Sequence, residues 1–176
     1  MKYKDAIRQS MNELAKDSKV IFIGYNTRNG SRAYGTLSDI SKERCLETPV
    51  AENLMTGLAI GLSLEGFKPV LFFERHDFML IALDALVNHL DKLKRLSNDK
   101  FKSSIIIRAT VGGTVPIYPG IQHDQDFTYV FKQLFKYVSI EELRNANHII
   151  AAYKEYKNFK KPVIMIERKD LFEKES

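Results

Sequence analysis

Short runs rich in Val, Ile and Phe alternate along this chain with segments of helical periodicity, and that alternation limits the folds open to it. The apolar runs occupy residues 20–23, 69–73, 104–107 and 162–166. Apolar residues recur at helical spacing over 3–16, 50–64, 78–96, 127–135 and 140–156. A short, continuously apolar run fits a strand covered on both faces, the usual condition of a parallel sheet. The pattern predicts an α/β fold: a mainly parallel sheet with helices on both faces. With 176 residues, 44% hydrophobic and 28% charged, the chain suits one domain with its own core. We read residues 1–168 as that domain and 169–176 as a frayed C-terminal tail.

Composition narrows the function classes. Lys and Arg number 27 against 22 Asp and Glu, a formal charge of +5, and the two signs are interspersed, which argues against nucleic acid as a partner. The densest basic runs, Lys92-Leu93-Lys94-Arg95 and Lys160-Lys161, fall where a helix ends or a loop begins and suit helix-dipole complementation; a phosphate-bearing ligand or acidic partner is the other reading. The single Cys45 leaves no internal disulfide and no CxxC site. The first residues lead into a polar amphipathic segment rather than an apolar signal region, so the expected location is cytoplasmic. No uncharged apolar stretch approaches the roughly 18 residues of a membrane span, and no membrane partner is expected.

Two segments break the periodicity: residues 26–35, with Asn29-Gly30 and Gly35, and residues 110–120, with Gly112-Gly113 and two prolines. Both follow predicted strands, and in open α/β sheets ligands sit beyond the carboxyl ends of the strands. Between them lies Glu47-Thr48-Pro49-Val50-Ala51-Glu52-Asn53. Thr48 followed by Pro49 is a good helix start, with the hydroxyl as cap. Glu52 then falls one residue late for a reciprocal capping box and, taken alone, reads as an acid favoured by the positive helix end. Gly57 and Gly61, four apart, cost the helix about 1 kcal/mol each relative to Ala, so something is expected to approach that face closely. Taken alone, Phe78 is a core residue and His123 a surface loop residue.

Together these segments resemble the pyrimidine-binding domain of transketolase-like thiamine-diphosphate enzymes, closest to the beta subunit of the decarboxylating component of 2-oxo acid dehydrogenases. The resemblance rests on Thr48-Pro49-Val50-Ala51-Glu52 opening a glycine-bearing helix, then Gly66-Phe67-Lys68-Pro69, then Phe72-Phe73-Glu74-Arg75-His76-Asp77-Phe78, then Gln122-His123-Asp124-Gln125, where the dehydrogenase subunits have glutamine-histidine-serine-glutamine. It is nearly ungapped over residues 47–88 and looser to 166. It implies that Glu52 hydrogen-bonds the cofactor's aminopyrimidine ring and activates it, that Phe78 stacks on that ring with Pro49 and Val50 beside it, and that His123 faces the substrate. Arg75 and His76 stand where the family usually has aromatic or small residues; with Gln122 they are possible substrate or cofactor contacts. Gly24-Tyr25-Asn26 departs from the family's glycine-glutamate-acidic sequence, so cofactor contacts from that loop are not carried over.

A GDG motif for the diphosphate and its Mg2+ is missing, and Gly112-Gly113 lacks the acid needed to ligate a metal. No metal ligand is therefore expected in this chain. The expectation is a split enzyme: this chain supplies the pyrimidine half, and a diphosphate-binding subunit, the adjacent gene product, holds thiamine diphosphate through Mg2+. Two copies of each chain would form a heterotetramer, self-associating near the glycine-bearing helix. The reaction would be decarboxylation or ketol or acyl transfer on a small-molecule 2-oxo acid or ketose. The alternatives are a non-catalytic scaffold or regulatory subunit that keeps the fold and, less favoured, a basic nucleic-acid or phosphate-binding module.

Overall fold

A computed structural model describes residues 1–113 and 118–175. Six strands form one all-parallel sheet in the order β2-β1-β3-β4-β6-β5: β1 Val20–Gly24, β2 Cys45–Glu47, β3 Lys68–Phe73, β4 Ile106–Val111, β5 Ser139–Glu142 and β6 Val163–Arg168. Helices α1 (Tyr3–Ala15) and α5 (Ala146–Tyr156) cover one face. Helix α2 (Glu52–Leu64), a 3-10 segment (His76–Ala82), a π-helical segment (Asp84–Leu90), α3 (Leu93–Leu96) and α4 (Thr128–Leu134) lie on the other side.

The strands are continuously apolar because both faces are covered. In β3, Val70 and Phe72 join the core under α1 and α5, and Leu71 and Phe73 join the core under α2. Helix α1 buries Tyr3, Ala6, Ile7, Met11 and Leu14 at helical spacing. Polar β4 residues are also accommodated. Arg108 is fully buried and pairs with Glu167 of β6 at 2.6 Å, donates to the Thr36 hydroxyl at 2.8 Å and lies over the Phe72 ring.

Several sequence expectations need correction. Helix α2 begins at Glu52, not Thr48: the Thr48 N–H bonds the Gly24 carbonyl at 3.2 Å, prolonging the β2 pairing, and its hydroxyl is buried with no partner and caps nothing. The single helix expected over 78–96 is wound in turn as 3-10, π and α. The helix expected over 140–156 is strand β5 followed by α5, which Asn145 caps by accepting the His148 N–H at 2.8 Å. Strand β4 runs through Thr110 and Val111, so the second loop starts at Gly112; Pro116 and the rest of residues 114–117 lie outside the described residues, as does Ser176. Residues 169–175 are no frayed tail: Phe172 is buried and stacks on Tyr3, and the N–H groups of Tyr3 and Lys4 bond the carbonyls of Lys174 and Phe172.

Candidate active site

From β1 the chain passes leftward to β2 and then returns to β3 on the other side of β1, so β1 and β3 flank the point where the strand order reverses. That point opens a crevice at the carboxyl ends of the two strands. Gly24 closes β1 with φ +146°, and a Cβ there would lie 2.7 Å from the Phe72 carbonyl oxygen; only glycine lets the strands meet so closely. The Glu47 carboxylate, ending β2, accepts the N–H groups of Asn26, Arg28 and Asn29 at 2.6, 2.7 and 3.1 Å and folds the first loop over the crevice. Within that loop Arg32, Ala33, Tyr34 and Gly35 all have positive φ, 50° to 81°. This left-handed turn costs roughly 1–2 kcal/mol per non-glycine residue, and it aims the Tyr34 hydroxyl at the Glu74 carbonyl, 3.1 Å away. The Thr110 hydroxyl donates to the same carbonyl.

The crevice is acidic and aromatic. Tyr25 is buried, and its phenol feels the Glu74 charge; Asn26 Nδ2 lies 3.4 Å from both Glu74 oxygens. Burial first, then the charges of Glu74 and Glu52, raise the Tyr25 phenol above its ordinary pKa, so it remains a proton donor. Burial, then Glu74, pushes Tyr34 up to about 12.

Glu52 is the first residue of α2, 3% exposed, and its carboxylate accepts no hydrogen bond from any described residue. Pro49, Val50 and Ala51 lead into it, and Pro49 and Val50 are exposed. On the 3-10 segment beside α2, Phe78 is half-buried, its ring edge-on to His123 with centroids 5.2 Å apart. The fold thus brings Phe78 and His123 together. Asp77 secures the arrangement: its Oδ1 accepts the Gln125 backbone N–H at 3.2 Å and the Gln125 side-chain amide at 3.1 Å, tying the His123 loop to the 3-10 segment. Gln122 is exposed on that loop.

His76 and Arg75 point elsewhere. His76 is fully buried, packed edge-on against Phe131 at 4.7 Å, with neither ring nitrogen hydrogen-bonded and Asp126 3.8 Å away. Burial lowers its pKa to about 4, so it is a neutral wedge rather than an open contact. Arg75, 8% exposed, donates to the Gly112 carbonyl at 2.6 Å. Tyr25, Glu74 and Asp77 were not singled out from sequence as site residues. The signal for two of them was their place directly after β1 and β3.

Among the described residues no group of three acidic, His or Cys side chains is placed to hold a metal ion. A cavity of about 640 Å3 opens at the opposite end of the sheet, between α1 and α5, lined by Leu14, Lys68, Tyr153, Lys154 and Lys157. Lys154 and Lys157 there complement the negative end of α5, Lys68 pairs with Asp17 at 2.6 Å, and the crevice at the carboxyl ends carries the nearly buried acid instead.

A parallel sheet with a nearly buried acid beside its switch point, an aromatic on the adjoining 3-10 segment and a histidine on a neighbouring loop defines an α/β domain with a candidate ligand crevice at the carboxyl ends of its strands. The chain belongs to the family described as "Transketolase, pyrimidine binding domain", whose profile matches residues 1–174. Relatives include the mitochondrial pyruvate dehydrogenase E1 component subunit beta of Saccharomyces cerevisiae, 33% identical over 133 residues, covering 73% of this chain and 36% of that protein. The 2-oxoisovalerate dehydrogenase subunit beta of Bacillus subtilis is 28% identical over 136 residues, covering 74% and 41%. The chain therefore spans about two fifths of the length of these curated relatives. A solved structure titled "Split gene transketolase, inactive beta4 tetramer" shares the fold with a TM-score of 0.72 at 18% identity, over 96% of this chain and 52% of that one.

Proposed function

We propose that this chain is the pyrimidine-binding subunit of a split thiamine-diphosphate enzyme acting on a 2-oxo acid or ketose. One observation carries the reading: Glu52 is 3% exposed beside the crevice, and its carboxylate accepts no hydrogen bond from any described residue. A nearly buried acid is stabilised by a hydrogen-bonding partner, and a ring nitrogen of an aminopyrimidine is a group it fits. The half-buried Phe78 ring supplies a flat contact next to it. When bound, the cofactor supplies the carbanion chemistry. Glu52 orients the aminopyrimidine and holds the proton shared with it, Phe78 and the exposed Val50 exclude water around it, and His123 presents a hydrogen-bond donor toward the substrate.

The diphosphate and Mg2+ fall to a second chain. The α2 face supports assembly: Leu54 and Leu58 are exposed, and nothing lies within 4 Å of a Cβ built on Gly57 or Gly61. That face is open to a second copy of this chain, in a heterotetramer located in the cytoplasm.

Calorimetric titration of thiamine diphosphate and Mg2+ into the chain, alone and with its partner chain, tests this. Binding is expected in the mixture, with at least a hundredfold loss of affinity or turnover in Glu52→Ala and Glu52→Gln. An assembly that forms but neither binds the cofactor nor responds to these substitutions would instead establish a scaffold subunit.

A further inference from the structure

Arg75 and Lys169 converge on one glycine pair. Arg75 Nη1 donates to the Gly112 carbonyl at 2.6 Å, and the Lys169 side chain runs so close to Gly113 that a Cβ there would lie 2.6 Å from Lys169 Cδ. A Cβ on Gly112 would lie 2.1 Å from an Asp170 oxygen. Both glycines have positive φ, 72° and 81°, so the backbone here is shaped to admit these side chains. The Lys169 ammonium sits 3.9 Å from the Tyr34 ring centroid.

Neither cation has a close ion-pair partner among the described residues. Arg75 is 8% exposed, Lys169 is half-buried, and no carboxylate of the described residues lies within 4.0 Å of either, whereas Arg108 has one such partner and Arg168 two. Two nearby carboxylates are hydrogen-bonded elsewhere: Glu74 by Asn26 Nδ2 at 3.4 Å, and Asp170 Oδ1 by the Gly113 N–H at 2.6 Å. Burial first, and then the Arg75 charge, lower the Lys169 pKa, outweighing the Glu74 and Asp170 charges that raise it. Like charges held together in a partly buried place call for an anion between them. An Arg fork beside a Lys is suited to phosphate or carboxylate oxygens.

We propose that Arg75 and Lys169, beside the Gly112-Gly113 turn and Tyr34, form an anion-binding subsite that takes the phosphoryl or carboxylate group of the substrate. The subsite lies at the carboxyl ends of β3, β4 and β6, the same end of the sheet as Glu52. As a statement about substrate it rests on the functional reading above. As a statement about anion binding it depends on this chain alone.

The test is titration of the 15N-labelled chain, without cofactor or partner, with inorganic phosphate and with pyruvate at constant ionic strength, chloride serving as reference. Saturable shifts are expected at the Gly112 and Gly113 amides and at Arg75 Nε, weakened at least tenfold by Arg75→Gln and by Lys169→Met. Saturation by phosphate alone assigns a phosphoryl group; saturation by pyruvate alone assigns a carboxylate. Shifts no different from chloride's overturn the proposal, as does saturable binding unchanged in Lys169→Met. Unfolding in urea gives a second readout. Lys169→Met keeps the packing on Tyr34 and removes one of two repelling charges, so the free chain is expected to hold or gain stability; a loss would make the ammonium structural and overturn the subsite. A chain that binds phosphate here but ignores thiamine diphosphate keeps the subsite and loses the functional reading, and the reverse result loses the subsite alone.

Discussion

His76 shows how burial decides what a titratable residue can do. Its ring is enclosed by Phe127 and Phe131 with no hydrogen bond to either nitrogen, and burial holds its pKa near 4 against the Asp126 and Asp77 charges, which favour protonation. The unfolded chain takes up a proton near the ordinary value of about 6.5. The folded chain refuses that proton until about pH 4, so the contribution to stability is full above 6.5 and is lost as pH falls toward 4. The loss is expected to reach about 3 kcal/mol. Urea unfolding of the native chain and His76→Phe as a function of pH checks this: the variant should gain relative stability only below about pH 6.5. A difference that stays flat with pH would mean that the ring finds a charge partner after all. Glu52 is nearly as buried but lies beside the crevice, so the two residues, twenty-four positions apart, have different surroundings. The sequence singled out Glu52 through its motif. For His76 it showed only a departure from the family, since the aromatic enclosure comes from α4, fifty residues away.

Among the elements, the four central strands were legible because each is apolar on both faces. The two edge strands were not. β2 has three residues, and Ser139–Glu142 is partly polar because its burial is incomplete. β4 was read too short because Thr110, next to a glycine pair, looks like a loop residue until the Glu74 carbonyl is seen to satisfy its hydroxyl. The start of α2 was misplaced because Thr48-Pro49 is a sound local signal that the pairing with Gly24 overrides. The glycines of α2 yield a prediction at this scale. Gly57→Ala and Gly61→Ala meet no atom within 4 Å, so each is expected to stabilise the isolated chain by roughly 0.5–1 kcal/mol, measurable by urea unfolding. The same substitutions are expected to weaken self-association in sedimentation, because the added methyls stand on the face assigned to the second copy. Unchanged association would move the interface to another surface.

The whole molecule is closed by its ends. Phe172, 6% exposed, stacks on Tyr3 at 5.9 Å and packs beside Tyr34, and the Tyr3 hydroxyl donates to the Leu143 carbonyl at 2.9 Å. The segment after β6 therefore braces the first helix and the loop over the crevice together. Phe172→Ala is expected to cost about 3 kcal/mol, seen as a lower unfolding midpoint, and to loosen the first loop, seen as faster amide exchange at residues 31–37. Exchange confined to the two ends would separate the brace from the loop.

Lys2 and Glu175 bridge to one another, so the path into this domain and the path out of it leave from one point on its surface. A polypeptide entering and leaving at a single doorway can be spliced into a longer chain, or closed into a ring and reopened at another loop, without disturbing the sheet. Architectures in which this unit travels as a free subunit, or as a cassette between other domains, thus demand nothing new of its interior.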